Sequence, residues 1–457
     1  MSPDAEHPES ESTDEETLAR HKKIVEVGNG ERQMDWSIWA SFIYESKCLT
    51  PKGKEVALWS VEILKQTLKD VFFQRIEDWS TKWQRDHPEL PPDSHPVFSL
   101  GLWPANDLPW VYANLIRLAA RIQLLKRKRS QNNIRPVLKN LQKNIEPISW
   151  VSALLQLEVA ALGLKAEWKI LFEPPIGNGG FADILLTKDQ TQLLVETTVM
   201  RLSEADRKTI ALSRDLSMYL NAIEVQYNVR ISGSLSSASL KNDDDRTQCL
   251  KAIVKAAQAT VEDGLSKQVS EPNGVFLTIF RPTEETAYER WEIIGDPIGE
   301  RLLERLIAIL NNKNKQAEGS AIPVWVRLDE SATLWQLLQA QGRTLTQIRD
   351  FFADFLQRVL VSFPYLAGVI ISPGISWPTS NPQDTVIERN EQNGSVAISC
   401  SIPVQRVRET IITTQAGKFT EQARIFADWY SQESKWLSWA LEKLGKPPLD
   451  ELVHLSD

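Results

Sequence analysis

Apolar and polar positions change their period once along this chain. From Met34 to Gln84, apolar residues recur at the three- and four-residue spacing of an amphipathic helix, most clearly in "KEVALWSVEILKQTLKDVFFQRIEDWSTKW". The breaker-rich "DHPELPPDSHP" ends that pattern. A second helical run, "PWVYANLIRLAARIQLLKRKRS", opens with Pro109 where a helix start tolerates proline. Beyond Pro147 strand and helix signals alternate. A helix over 148–163 precedes the strand "AEWKILF" and a hairpin of "FADILL" and "LLVETT". Then come a helix over 202–222, strand "VQYNVRIS", helix 245–263, strand "GVFLTIF", helix 296–312, strand "IPVWVRL", helix 344–361 and strand "LAGVIIS". Short strands such as "SVAISCSI" and a closing helix over 418–444 complete an α/β pattern without a fixed-period repeat.

These periods divide the 457 residues into four regions. Residues 1–19 carry seven acids and no Lys or Arg and read as a disordered tail. Residues 20–145 form a Trp-rich helical domain, 146–375 an α/β core with its extension, and 376–457 the short strands and closing carboxy-terminal helix. Eight of the sixteen tryptophans fall within the first 150 residues. They are expected to anchor a helical core, because Trp79 and Trp83 stand at the i, i+4 spacing of packed neighbours.

Composition narrows the chemistry. No apolar run reaches membrane-spanning length and the amino terminus is acidic, so a bacterial-type cytoplasmic protein without membrane association is expected. Cys48, Cys249 and Cys400 lie far apart without CxxC spacing, which indicates neither a disulfide framework nor a zinc knuckle. No histidine occurs from residue 96 to residue 453. Zinc sites of the usual His/Cys kind and histidine-based nucleophilic catalysis are therefore not expected there. Chemistry in that interior has to come from carboxylates, lysines, hydroxyls or a bound cofactor.

One stretch, "GNGGFADILLTKDQTQLLVETT" over 177–198, supports two readings. Gly177-x-Gly179-x-x-Ala182 fits a dinucleotide-binding turn, but that turn must follow a strand and open a helix. Here the glycines follow "EPPI" and open a strand, so the order is wrong. The alternative is a metal-binding hairpin. If "TKDQTQ" is a symmetric turn centred between Asp189 and Gln190, Asp183 stands directly opposite Glu196. Two opposed carboxylates repel unless something positive lies between them, and a divalent cation is a candidate. Thr198 shares a strand face with Glu196, and the Thr197 carbonyl offers a further oxygen. A third carboxylate comes from "SWVSALLQLEVAALGL", where the helical neighbours of Glu158 are Leu154, Leu155, Ala161 and Leu162. Glu158 is thus expected on a buried stripe, where it needs a hydrogen-bonding partner or a metal.

At these residues the chain resembles the PD-(D/E)XK nuclease-like superfamily. The resemblance runs through the helix carrying Glu158, through Phe181-Ala182-Asp183 in place of Pro-Asp, and through Glu196-Thr197-Thr198 in place of (D/E)-x-K. It covers some fifty residues, with the following helix and "VQYNVRIS" compatible with the family's core. It implies a restriction-endonuclease-like mixed sheet flanked by helices, with the all-helical amino-terminal domain added to it. It also implies Mg2+ or Mn2+ held by Asp183, Glu196 and Glu158, and a metal-activated water attacking a phosphodiester. Thr198 stands where the family has its lysine, and a threonine hydroxyl does only a weak, neutral version of that lysine's work. A replacement base is expected among Arg201, Arg207, Lys208, Arg214 and Lys169, with Lys208 taken as the catalytic candidate beside Asp183, Glu196 and Thr198.

The net charge is −8, yet nine Lys or Arg and no acid lie between Arg117 and Lys143. Arg117, Arg121, Lys126, Arg127, Lys128 and Arg129 are the candidates for holding the phosphate backbone of DNA or RNA, or else they form a solvated helix face. Three functions follow: a divalent-metal-dependent nuclease, a non-cleaving nucleic-acid-binding or sensing protein on the same scaffold, or a purely structural partner-binding protein, which dispersed carboxylates and a buried basic stripe would favour.

Overall fold

In the computed structural model of the chain the described residues are 22–23, 34–88, 95, 102–127, 133–143, 145–176, 180–201, 204–236, 243–271, 274–282, 291–294, 298–329, 338, 344–372, 375–376, 386–389, 395–402, 406–415 and 418–454. The acidic tail lies outside them. The chain divides into two compact units, one built from Met1–Arg85, Asp93–Arg201 and Ile307–Asp457, the other from Asp86–Pro92 and Leu202–Leu306.

The first unit opens with helices α1 (Trp36–Tyr44), α2 (Pro51–Leu68), α3 (Phe72–Asp86), α4 (Pro109–Arg127), α5 (Arg135–Lys143) and α6 (Pro147–Lys165). Their starts are set by local chemistry. Asp35 accepts from Ile38 N at 2.8 Å to cap α1, Thr50 accepts from Gly53 N at 3.0 Å to cap α2, and Glu146 accepts from Ser149 N at 2.9 Å to cap α6. Pro51 and Pro147 occupy first-turn positions of α2 and α6, where no amide hydrogen is needed. Strands β1 (Lys169–Phe172), β2 (Ile184–Lys188) and β3 (Thr191–Val199) follow as an antiparallel meander.

The second unit contains α7 (Glu204–Tyr227), β4 (Arg230–Ser236), α8 (Asp243–Asp263), β5 (Lys267–Glu271), β6 (Val275–Phe280), β7 (Trp291–Ile294) and the start of α9 (Ile298–Gln316). Its sheet has the order β5-β6-β4-β7 and is covered on one face by Leu216, Leu220 and Ile223 of α7 and Cys249, Ile253 and Ala257 of α8. The end of α9 returns the chain to the first unit, which closes with β8 (Val324–Asp329), α10 (Leu345–Leu360), β9 (Leu366–Ser372), β10 (Ile375–Ser376), β11 (Val386–Arg389), β12 (Val396–Ile402), β13 (Arg406–Thr414), α11 (Thr420–Ser431) and α12 (Glu433–Leu444). The large sheet runs β1-β2-β3-β8-β9-β13-β12-β11, with β10 on β13. β3, β8 and β9 are parallel to one another, and the flanking pairs are antiparallel. The architecture is thus mixed α/β, a mixed sheet flanked by helices.

Four expectations change. "VQYNVRIS" does not extend the core sheet: Val225–Tyr227 close α7, and β4 belongs to the second sheet. The strand beside β3 is β8, from "IPVWVRL", which is parallel to it because the intervening chain crosses over through α9. The expected closing helix is two helices separated at Gln432.

The helices of residues 34–143 also do not stand apart as a domain. One continuous apolar core joins Trp36, Phe72 and Leu115 to Val159 of α6, Val195 of β3 and Trp436 of α12. Trp39 and Trp150 are among its largest fully buried side chains, and Trp59, Trp79 and Trp103 pack against it.

Finally, α6 is long and apolar enough to cross a membrane by length and composition, contrary to the expectation that no such run exists. In this fold most of it is enclosed. Gly163 lets it approach β2, since a Cβ there would lie 2.8 Å from Leu186 Cδ2.

Candidate functional site

The β2–β3 hairpin has the symmetric register. Ile184 pairs with Val195 and Lys188 with Thr191, leaving Asp189-Gln190 as the two-residue turn, with Asp189 at φ 52°. One residue beyond Ile184, Asp183 therefore faces Glu196. Its carbonyl accepts from Glu173 N at 3.0 Å, which extends the pairing with the β1 side to this position.

Glu196 is 5% exposed. Lys313 Nζ donates to its Oε2 at 2.7 Å, and the Asp183 backbone N–H also bonds to its carboxylate. Burial pushes the Glu196 carboxyl up to about 7 from the ordinary 4.5, the Asp183 charge pushes the same way, and Lys313 opposes both. Glu196 thus bonds one base directly and feels the charge of a second acid. Lys313 reaches Glu196 from the last turn of α9, where a cation also complements the helix dipole.

Lys313 was absent from the sequence-derived candidates, although a signal existed. Leu302, Leu306, Leu310 and Ala317 are the buried stripe of that helix and its end, and Lys313 falls in line with them at helical spacing. The reasoning that singled out Glu158 on an apolar stripe applies to it equally.

Asp183 is held by its neighbour across the hairpin. Thr197 N and Thr197 Oγ1 both donate to Asp183 Oδ2, at 2.6 and 2.7 Å. Ser152 Oγ of α6 lies 2.7 Å from Thr197 Oγ1 and 3.3 Å from the Thr197 carbonyl oxygen, the oxygen considered as a further metal ligand. Thr198 is half-buried, alternates to the Glu196 face and pairs with Leu328.

Glu158 requires correction as a third metal ligand. It is buried as expected, at 3% exposure, but its partners are cations. Arg327 Nε and Nη2 donate to Oε1 at 3.2 and 3.0 Å, Tyr430 Oη donates to the same oxygen at 3.3 Å, and Arg121 Nη2 stands 3.8 Å from Oε2. The register explains the separation. Arg327 pairs with Thr197, so both face α6, whereas Glu196 pairs with Val326 and faces the other side. Among the described residues no group of three His, Cys, Asp or Glu is placed to hold a metal ion.

The start of the basic segment is taken up by the fold, while Arg127, Arg135, Lys139 and Lys143 are exposed. Arg117 is buried and donates to Asn114 Oδ1 at 3.2 Å. Arg121 bridges Glu158 and Glu433, each at 3.8 Å, and lies over the Trp436 ring. Lys126 donates to Thr67 Oγ1 at 2.9 Å, and the exposed Arg127 donates to the Lys443 carbonyl at 3.2 Å. Lys128 and Arg129 lie outside the described residues. Arg117 and Arg121 are therefore interior cations rather than a phosphate-facing stripe. Of the replacement bases, Lys169 is exposed on β1 and Arg201 follows β3. Arg207, Lys208 and Arg214 lie on α7 of the second unit, and the side chains of Lys208 and Arg214 lie outside the described residues.

The donor set fits a small divalent cation in one respect. Two carboxylates, one of them pushed toward the neutral form by burial and then by the other's charge, supply hard oxygen ligands, and magnesium commonly takes one or two carboxylates with water and substrate phosphate completing its shell. No protein-family model, curated protein or solved structure matches the chain.

Proposed function

We propose that the chain is a divalent-metal-dependent nuclease on a restriction-endonuclease-like scaffold, acting on DNA or RNA. The observation that carries this reading is Lys313 Nζ at 2.7 Å from Glu196 Oε2, with Asp183 opposite on the adjoining strand. The motif's lysine is missing at Thr198, and a lysine arrives at the same carboxylate from α9 instead. Within the first unit the order of elements supports it: helix α6, antiparallel β1–β3, the end of α9, and β8 parallel to β3.

Asp183 and Glu196 would hold Mg2+ or Mn2+ in this reading, and the chemistry supplied there would be positive charge beside a phosphodiester and a water. Lys313 supplies what Thr198 lacks, an ammonium that would orient that water and donate to a non-bridging phosphate oxygen. Thr198 lines the same strand face without acting as a base.

The test is cleavage of single- and double-stranded DNA and RNA by the purified chain in Mg2+ or Mn2+. Asp183→Asn and Lys313→Met are each expected to lower the rate by about 100-fold or more. Thr198→Lys is expected to restore part of the rate in the Lys313→Met background and to add nothing to the unsubstituted chain. Cleavage that survives both single substitutions would remove this pair from the chemistry. A non-cleaving nucleic-acid-binding protein is the second reading. It is favoured by the bonds that Asp183 Oδ2 and Glu196 Oε2 already make inside the protein.

A further inference from the structure

Asp183 is tied to α6 through two hydroxyls. Thr197 N and Oγ1 converge on Asp183 Oδ2, and Ser152 Oγ stands 2.7 Å behind Thr197 Oγ1. Each hydroxyl has one hydrogen, and an ionised carboxylate only accepts. Thr197 therefore donates its hydrogen to Oδ2 and must accept from Ser152, so the bonds run one way, from Ser152 to Thr197 to Asp183. The competing contacts, Ser152 Oγ to the Thr197 carbonyl and Thr197 Oγ1 to the Ser152 carbonyl, are longer at 3.3 Å.

We propose that Thr197 and Ser152 are positioning residues: they fix Oδ2 of Asp183 and so set its other oxygen for a divalent cation shared with Glu196. Both Thr197 bonds fall on one oxygen, which fixes the rotation of the carboxylate plane and leaves Oδ1 outside the pair. Thr197 itself is 2% exposed and is the strand neighbour of Glu196, so one residue ties the two acids to a common frame. Ser152 anchors that frame to a helix whose flanking Val151 and Ala153 are buried. Hydrogen bonds one step behind a ligand commonly govern metal affinity by 10–100-fold in the aggregate of known sites.

This inference rests on the metal-site reading above, and its test does not need cleavage. Mn2+ is titrated calorimetrically into the full chain and its variants. Thr197→Val keeps the backbone N–H and the outline of the side chain but lacks the hydroxyl, and its Kd is expected to rise by about tenfold. Thr197→Ser is expected to bind as the unsubstituted chain does. Ser152→Ala, which removes only the donor behind Thr197, is expected to show a smaller loss in the same direction, and it carries the test alone if Thr197→Val fails to fold. Equal Mn2+ affinity in a folded Thr197→Val, or an equal loss in Thr197→Ser, would overturn the positioning role while leaving the metal site standing. Absence of Mn2+ binding by the unsubstituted chain would overturn both.

Discussion

Two buried glutamates lie on opposite faces of the same sheet and are treated differently. Glu158 meets two arginines and a tyrosine hydroxyl, with Arg327 itself fully buried and Arg121 shared with Glu433. Glu196 meets one lysine and a second acid, and its carboxyl is pushed up to about 7. Burial alone therefore says only that a carboxylate needs compensation. The partners decide whether that compensation is complete, as at Glu158, or leaves repulsion that a further positive charge can relieve, as at Glu196.

The largest effect expected from breaking the contrast is at Glu158. Glu158→Ala strands Arg327 in the core, and removing one partner of a buried pair costs about 3–5 kcal/mol. Urea or thermal unfolding should show this loss equally in chelator and in excess Mn2+. Replacing both members, Glu158→Leu with Arg327→Met, should cost less than either single change, because no uncompensated charge remains. A metal-dependent loss in Glu158→Ala would instead place Glu158 in the ion site.

Glu196 should show itself through pH. Its folded-state pKa is raised, so the folded protein prefers the protonated acid. The stabilising contribution is present in full below the ordinary 4.5 and is lost as pH rises through about 7. The loss is on the order of a few kcal/mol across that window. Glu196→Gln should flatten this part of the stability curve, and bound metal should flatten it too by favouring the ionised form. An identical slope in Glu196→Gln would assign the pH dependence elsewhere.

A smaller and sign-changing effect is expected at Asp183. Asp183→Ala removes repulsion toward Glu196 but leaves the Thr197 N–H and hydroxyl without their acceptor, which costs about 1–3 kcal/mol, so it should melt lower in chelator. Asp183→Asn keeps an accepting oxygen and removes the charge. It should melt within about 1 kcal/mol of the parent in chelator, or above it, and below the parent in excess Mn2+, since only the parent gains from binding.

Local patterns carried much of this into view from the sequence. The hairpin register and the opposition of Asp183 to Glu196 followed from a symmetric turn, and the burial of Glu158 followed from its helical neighbours. What did not follow was pairing across long separations. Glu158 and Arg327 are 169 positions apart, and Lys313 and Glu196 are 117 apart. Each partner was individually conspicuous: Arg327 sits inside the apolar strand "VWVRL", and Lys313 stands on an apolar stripe. Matching buried acids to buried bases requires knowing which face each strand presents, and that depends on β8 rather than β4 lying beside β3. The insertion of the second unit between them concealed this adjacency.

The smallest expected effect separates interior from surface among the cations. Arg121 serves Glu158, but Arg127, one to two turns further along α4, is exposed and reaches only the carbonyl of Lys443 near the end of α12. Its loss there amounts to one solvent-exposed contact, so Arg127→Ala should change stability by less than about 0.5 kcal/mol. If Arg127 nonetheless holds a phosphate, the variant should weaken binding similarly across sequences and lower the slope of log affinity against log salt by about 1. Fluorescence anisotropy with labelled DNA and RNA oligonucleotides at several salt concentrations reads that slope directly. The Asp183→Asn background prevents cleavage from confusing the measurement. A one-charge change would establish a phosphate-facing edge at the end of α4, outside the buried network that takes up Arg117 and Arg121. An unchanged slope would leave Arg127 as a helix-end contact that holds no phosphate.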